Sequence, residues 1–280
     1  VRGIMVGLSC QAVGGDPQDV LPAAVAVELL HGFTLIHDDI MDSSPIRRGR
    51  PTVHMKWSEN VAILSGDVMM GIAITELHSC CHISTDPLAV IKELGKGLIE
   101  VCEGQALDME LAIQPDVSVT QYFNMIEKKT ARLLETACAI GGMLGNGSAA
   151  ELNALTLFGR SVGIAFQVQD DVLDLIGAPD FGKKLGGDIE EGKRTWMMLE
   201  AKRRLADNQL VKSFFDDNGL GSDDVPEMIQ LLHTNGILDE AQQIVRNHTQ
   251  TAYLQLDVLP SNQGSRLLRE LAETLITRTI

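Results

Sequence analysis

A chain of 280 residues with a hydrophobic fraction of 45% can fill a sizeable core and fold without covalent staples. Its formal net charge of −15 argues against nucleic acid and against simple adsorption to anionic membranes, so any anionic ligand must be held locally, against the overall field. The five cysteines (Cys10, Cys80, Cys81, Cys102, Cys138) are odd in number and lack CxxC or Cys/His ligand spacing, which indicates a reducing cytoplasm and no structural zinc.

The chain opens on Val1, with neither an initiator Met nor a signal-peptide pattern, and is expected to be an N-terminally truncated piece of a longer protein. Aromatics at 4%, nine prolines and the absence of alternating β-branched runs leave helix as the dominant element. Pro17 and Pro22 suit the first turn of a helix running into Asp42, apolar on all sides and therefore expected to be buried centrally. Its run "VLPAAVAVELLHGFTLI" is broken by Glu28 and His31 and falls short of the roughly 20 residues of a spanning helix, so no membrane span is expected. The segments "RGRPTVH" and "DPLAV" separate helices expected at 60–79, 87–111 and 118–140. A capping box, Ser148 with Glu151, opens a long apolar helix ending at the glycines of "GAPDFGKKLGGD". A further helix is expected from near Glu190, followed by amphipathic helices around "DDNGLGSDD". Without a low-complexity linker, residues 1–280 are expected to form one all-α domain.

One pattern recurs: "DDIMD" at 38–42 returns as "DDVLD" at 170–174, each closing a long apolar helix. Residues three and four apart share a helix face, so Asp38 with Asp42, or Asp39 with Asp42, can reach one ion, and Asp170, Asp171 and Asp174 repeat the geometry. Three like charges within one turn repel, and carboxylates at a helix C-terminus also oppose the dipole, so a cation is required. An all-carboxylate set selects a hard ion; Mg²⁺ fits, and it keeps water and phosphate oxygens in its shell. A solvated helix end explains a lone DDxxD, but two copies, each followed by basic residues, favour metal sites. The cations are Arg47 and Arg48 after the first triplet, and Lys183, Lys184, Lys193 and Arg194 after the second. Lys129 and Thr130 of "IEKKTARLLETA" add an ammonium and a hydroxyl. Together they indicate two diphosphate sites.

These motifs closely resemble the trans-type isoprenyl diphosphate synthases, or polyprenyl synthetases. "HDDIMDSSPIRRGRPTVH" and "GIAFQVQDDVLDLIG" look like the family's two aspartate-rich motifs. The likeness continues through "EGQALDMEL", "KKTARL" and "FGKKLGGDIEEGKRTW" to Arg278. It implies antiparallel helices around a central cavity (the isoprenoid synthase fold), a homodimer, and Mg²⁺-dependent head-to-tail addition of isopentenyl diphosphate to an allylic diphosphate. By resemblance Asp38, Asp42 and Asp170 are metal ligands, with Asp39, Asp171 and Asp174 in support. Arg47, Lys129, Thr130, Gln167, Lys184 and Lys193 match positions at the allylic diphosphate or its reacting carbon. Arg48, His31 and Arg2 match isopentenyl diphosphate positions. The Gly and Lys of the family's GKxxR stretch would precede Val1.

Ionisation of the allylic C–O bond needs the leaving diphosphate neutralised and a closed apolar cavity that keeps water from the carbocation. Gln167 lies one turn before Asp170, so its amide oxygen and the Thr130 hydroxyl can stabilise that cation; the alternative is a core Gln bonded to backbone. Thr34 lies about 6 Å beyond Asp38 and about 40° off its azimuth, facing the growing chain. Phe33 lies about 7.5 Å in and about 140° round, a flanking wall or ordinary core. His31 is a diphosphate ligand or a satisfied core histidine. The resemblance places the product at farnesyl or geranylgeranyl length. A non-catalytic subunit modulating an active homologue and a class I terpene cyclase are the alternatives; intact triplets oppose the first, and "DDVLD" in place of a spaced Asn/Asp, Ser/Thr, Glu pattern opposes the second.

Overall fold

Helix boundaries follow local capping chemistry. Ser58 accepts a hydrogen bond from the Val61 amide, Asn208 accepts from those of Leu210 and Val211, and Ser118–Gln121 and Ser148–Glu151 form reciprocal capping boxes. The computed structural model describes residues 1–177 and 185–277; Lys183, Lys184 and Arg278 lie outside the described residues.

In chain order the helices are α1 Arg2–Ala12, α2 Leu21–Met41, α3 Val53–Lys56, α4 Glu59–Cys80, α5 Pro87–Ile113, α6 Val119–Ile126, α7 Arg132–Leu144 and α8 Ala149–Ile176. They continue with α9 Gly187–Glu190, α10 Trp196–Arg204, α11 Gln209–Asp216, α12 Val225–Thr234, α13 Ile237–Leu256 and α14 Gln263–Thr277. The helix expected at 118–140 runs as α6, a π-helical turn at Glu127–Ala131, and α7. The helix expected from Glu190 instead starts at Trp196, because α9 is a single turn that ends at Glu190. The one sheet among the described residues is a hairpin of β1 Ile46–Arg47 and β2 Arg50–Pro51.

The chain gathers into two compact units: residues 1–100, 132–159 and 253–270 in the first, and 101–131, 160–252 and 271–280 in the second. In the first, α2 packs on α1 and α4, and α1 on α7. The expectation that α2 is buried all round is corrected. Its buried residues, Ala23, Ala26, Val27, Leu30 and Phe33, form one helical stripe, while Leu21 and Val25 face solvent. The second unit buries Tyr122, Ile126, Val168, Val172, Met197, Phe214 and Met228 in a single cluster.

Candidate active site

In the first unit, the last turn of α2 displays the first aspartate triplet. Asp39 is buried at 3% exposure and its Oδ1 accepts a 2.7 Å hydrogen bond from Arg47 Nε. Asp38 is half-buried and Asp42 exposed, one turn apart. The helical spacing left open which aspartate shares a face with Asp42; the inward turn of Asp39 leaves Asp38 as that partner.

Arg47 is delivered by the β1–β2 hairpin. Its two-residue loop, Arg48–Gly49, has both residues left-handed, at φ 51° and 72°, as a type I′ turn requires. A non-glycine residue in that region is strained by about 1 kcal/mol, a conformation retained where the side chain is needed. The hairpin base is fixed by Thr52, whose Oγ1 donates to the Ser44 carbonyl at 2.8 Å.

Arg2, His31 and Arg48 form an electrostatic group in the same unit. Burial, assisted by the charge of Arg48, lowers the Arg2 guanidinium to about 10, although Glu28 opposes the shift. Burial and the Arg2 charge push His31 down to about 3, so its imidazole is neutral near neutral pH. The buried Arg2 Nε has no hydrogen-bond partner. Deeper along α2, Phe33 is 8% exposed and lies edge-on to His37 at 4.7 Å between centroids. The Thr34 hydroxyl donates back to the His31 carbonyl at 2.9 Å, which conceals its polarity.

In the second unit, a cavity of about 200 Å³ is lined by Lys129, Thr130, Gln167, Asp170 and Asp174, with Met125 and Leu173 among its apolar walls. Asp171, Lys193 and Arg194 also line it, so eight sequence-selected residues meet there. The π-helical turn presents Lys129 and Thr130. Two glycines make room for it: a Cβ on Gly104 would stand 2.2 Å from the Lys129 amide nitrogen, and one on Gly163 would stand 2.3 Å from the Ala131 Cα. π-turns recur at functional sites because they shift the register of the side chains that follow.

Gln167 is not bonded to backbone, as the core reading had it. Its Oε1 accepts from Thr130 Oγ1 at 2.7 Å and its Nε2 donates to Asp171 Oδ1 at 2.8 Å. Tyr122 donates its phenolic proton to Asp171 Oδ2 at 2.6 Å. Burial, then the neighbouring charge of Asp188, pushes Asp171 up to about 7 against the pull of these two hydrogen bonds. Asp170 is exposed; Asp174 is half-buried, and its Oδ2 accepts from the Asp188 amide at 3.0 Å, fastening the start of α9.

Sequence reasoning missed six partners. Asp108 pairs with Lys129, Asp188 holds Lys193 at 2.6 Å, Tyr122 bonds Asp171, and Glu93, Glu100 and Glu135 surround the buried Arg132 in the first unit. Asp108 stands inside the quoted "EGQALDMEL", so that motif held a signal; Tyr122 had none. Among the described residues no group of three or more His, Cys, Asp or Glu side chains is gathered as a metal cluster.

The polyprenyl synthetase family model matches residues 1–232. The short chain isoprenyl diphosphate synthase of Methanothermobacter thermautotrophicus is 38% identical over 284 residues, covering 99% of this chain and 86% of that one. The geranylgeranyl diphosphate synthase of Methanosarcina mazei is 38% identical over 282 residues, covering 99% and 85%. The crystal structure of geranylgeranyl pyrophosphate synthetase from Pyrococcus horikoshii Ot3 superposes with a TM-score of 0.92 at 37% identity, covering 99% of this chain and 85% of that one. The chain belongs to the polyprenyl synthetase family and has the all-α isoprenoid synthase fold. Within that family it falls among the short-chain trans-prenyl diphosphate synthases.

Proposed function

We propose that the chain is a short-chain trans-prenyltransferase that joins isopentenyl diphosphate to an allylic diphosphate. The observation that carries the reading is the meeting of Lys129, Thr130, Gln167, Asp170 and Asp174 on one cavity, where cations, carboxylates and neutral oxygens stand together above apolar walls. Lys129 and Lys193 bind diphosphate oxygens there, and Arg47 does so in the first unit. Arg48, Arg2 and neutral His31 hold the isopentenyl diphosphate. Thr130 and Gln167 turn oxygen atoms toward the allylic carbon, and Met125 and Leu173 keep water away from it.

The donor chemistry fits Mg²⁺. Asp38 with Asp42, and Asp170 with Asp174, are all-oxygen pairs one helical turn apart, each with one exposed and one half-buried member. Magnesium, when bound, supplies charge neutralisation for the leaving diphosphate.

Phe33, buried against His37, is the wall that stops product growth, and Thr34 leaves room short of it; the product is of farnesyl or geranylgeranyl length. Phe33→Ala is expected to lengthen it, and an unchanged product spectrum would place the stop elsewhere. A homodimer accounts for exposed apolar side chains on two helices of the first unit, Val61, Leu64, Val68 and Ile72 on α4 and Leu88, Ile91 and Ile99 on α5. The segment Glu59–Ile83, which contains an 18-residue window of mean hydropathy 1.4, is also long and apolar enough to cross a membrane, although the longest apolar run in the sequence lies in α2. Sedimentation at twice the chain mass in the absence of detergent supports the dimer. The five free thiols agree with a cytoplasmic setting.

The enzymatic test is consumption of dimethylallyl, geranyl and farnesyl diphosphates, each with and without isopentenyl diphosphate. Transfer requires both substrates. Consumption of farnesyl diphosphate alone, with a hydrocarbon product, would instead mark a cyclase.

A further inference from the structure

Resting on the prenyl-transfer reading of the same cavity, the geometry points to a buried hydrogen-bond relay, Tyr122–Asp171–Gln167–Thr130, that sets which atoms face the reacting carbon. In this relay Tyr122 and Asp171 are positioning residues. Each link fixes the next. Asp171 accepts on both oxygens, from the phenol on one side and from the Gln167 amide NH₂ on the other. An amide whose NH₂ is committed to a carboxylate must turn its oxygen the other way, here toward Thr130. The Thr130 hydroxyl has one proton, and it is spent on that oxygen.

Thr130 therefore presents lone pairs, and not an O–H proton, to the cavity that it lines. The direction matters because a developing allylic cation is stabilised by an acceptor and destabilised by a donor proton. Hydrogen bonds in series polarise one another, so each acceptor along the relay enriches the next and no nucleophile is brought near the cation. The phenol is 1% exposed, and its single proton is directed at Asp171 Oδ2, 2.6 Å away. Tyr122 is thus a permanent donor that occupies one oxygen of Asp171 and leaves the other for Gln167. The middle aspartate of this motif, grouped with the metal ligands on sequence grounds, acts through the amide.

The test is a double-mutant cycle between residues that do not touch, Tyr122→Phe and Thr130→Val, with kcat and KM measured for both diphosphates. Phe keeps the ring and removes only the donor. The relay predicts that Tyr122→Phe lowers kcat about tenfold with KM values within about twofold, and that the loss shrinks below about twofold in the Thr130→Val background. An unchanged kcat, a loss confined to KM, or an equal loss in both backgrounds would overturn it. Should Tyr122→Phe fail to fold, the same cycle with Asp171→Asn decides, because Asn sets an NH₂ against one of the two donors. Wild-type turnover is measured first: its absence contradicts prenyl transfer itself, whereas turnover with additive losses overturns the relay alone.

Discussion

At the end of α2, Asp38 is half-buried, Asp39 buried and Asp42 exposed; at the end of α8, Asp170 is exposed, Asp171 buried and Asp174 half-buried. The same five-residue pattern thus turns its middle carboxylate inward both times and leaves an outer pair one turn apart. What differs is how the buried charge is satisfied. Asp39 meets a full cation, Arg47, eight residues along the chain. Asp171 meets two neutral donors, Tyr122 and Gln167, with Asp188 and Asp170 adding repulsion. A repeated motif therefore fixes which carboxylate turns inward, while the surroundings decide how its charge is met: by the Arg47 guanidinium in the first unit, and by the Tyr122 hydroxyl and the Gln167 amide in the second.

The comparison breaks most decisively at the outer aspartates. Asp38→Asn and Asp170→Asn should each lower kcat by about 10³-fold, roughly 4 kcal/mol of transition-state stabilisation, in steady-state assays with Mg²⁺. A loss at one motif only would show that the two are not equivalent in chemistry. Next in size is Gly104→Ala, whose Cβ would overlap the Lys129 backbone; about 2–3 kcal/mol of stability should be lost in denaturant titrations, with weaker allylic diphosphate binding. Arg47→Gln leaves the Asp39 carboxylate buried without its cation. Because the guanidinium is partly exposed, the expected cost is about 2 kcal/mol, short of that for a fully buried pair, together with a raised KM for the allylic substrate.

A last effect, confined to acid conditions, is on pH dependence. The folded His31 value of about 3 lies below its ordinary 6.5, so the unfolded chain takes up a proton there that the folded chain refuses. Its contribution to stability is complete above pH 6.5 and is lost as pH falls toward 3. His31→Gln should accordingly flatten the acid limb of a stability-versus-pH curve across that window, and an unaltered limb would mean that His31 is protonated in the fold.

Much of this was legible in the sequence because it is local. Helices α4, α5 and α8 follow from apolar periodicity and caps such as Ser148–Glu151, and the aspartate pairs follow from a spacing of four on a helix. What escaped was set by partners distant in sequence. The π-turn that breaks the 118–140 helix sits where Gly104 and Gly163 admit a close backbone approach, and no periodicity marks an extra residue in a turn. Tyr122 is a core aromatic whose oxygen reaches Asp171 across 49 residues, a contact that no local pattern marks. The hairpin was read only as a helix breaker, although Arg48–Gly49 in "RRGR" is what lifts Arg47 onto Asp39.

Product analysis of the purified protein, incubated with isopentenyl diphosphate, an allylic diphosphate and Mg²⁺, bears most directly on the assignment. The account predicts an all-trans product extended by whole five-carbon units and ending at farnesyl or geranylgeranyl diphosphate. Recovery of the allylic substrate unextended by an otherwise folded protein would contradict it.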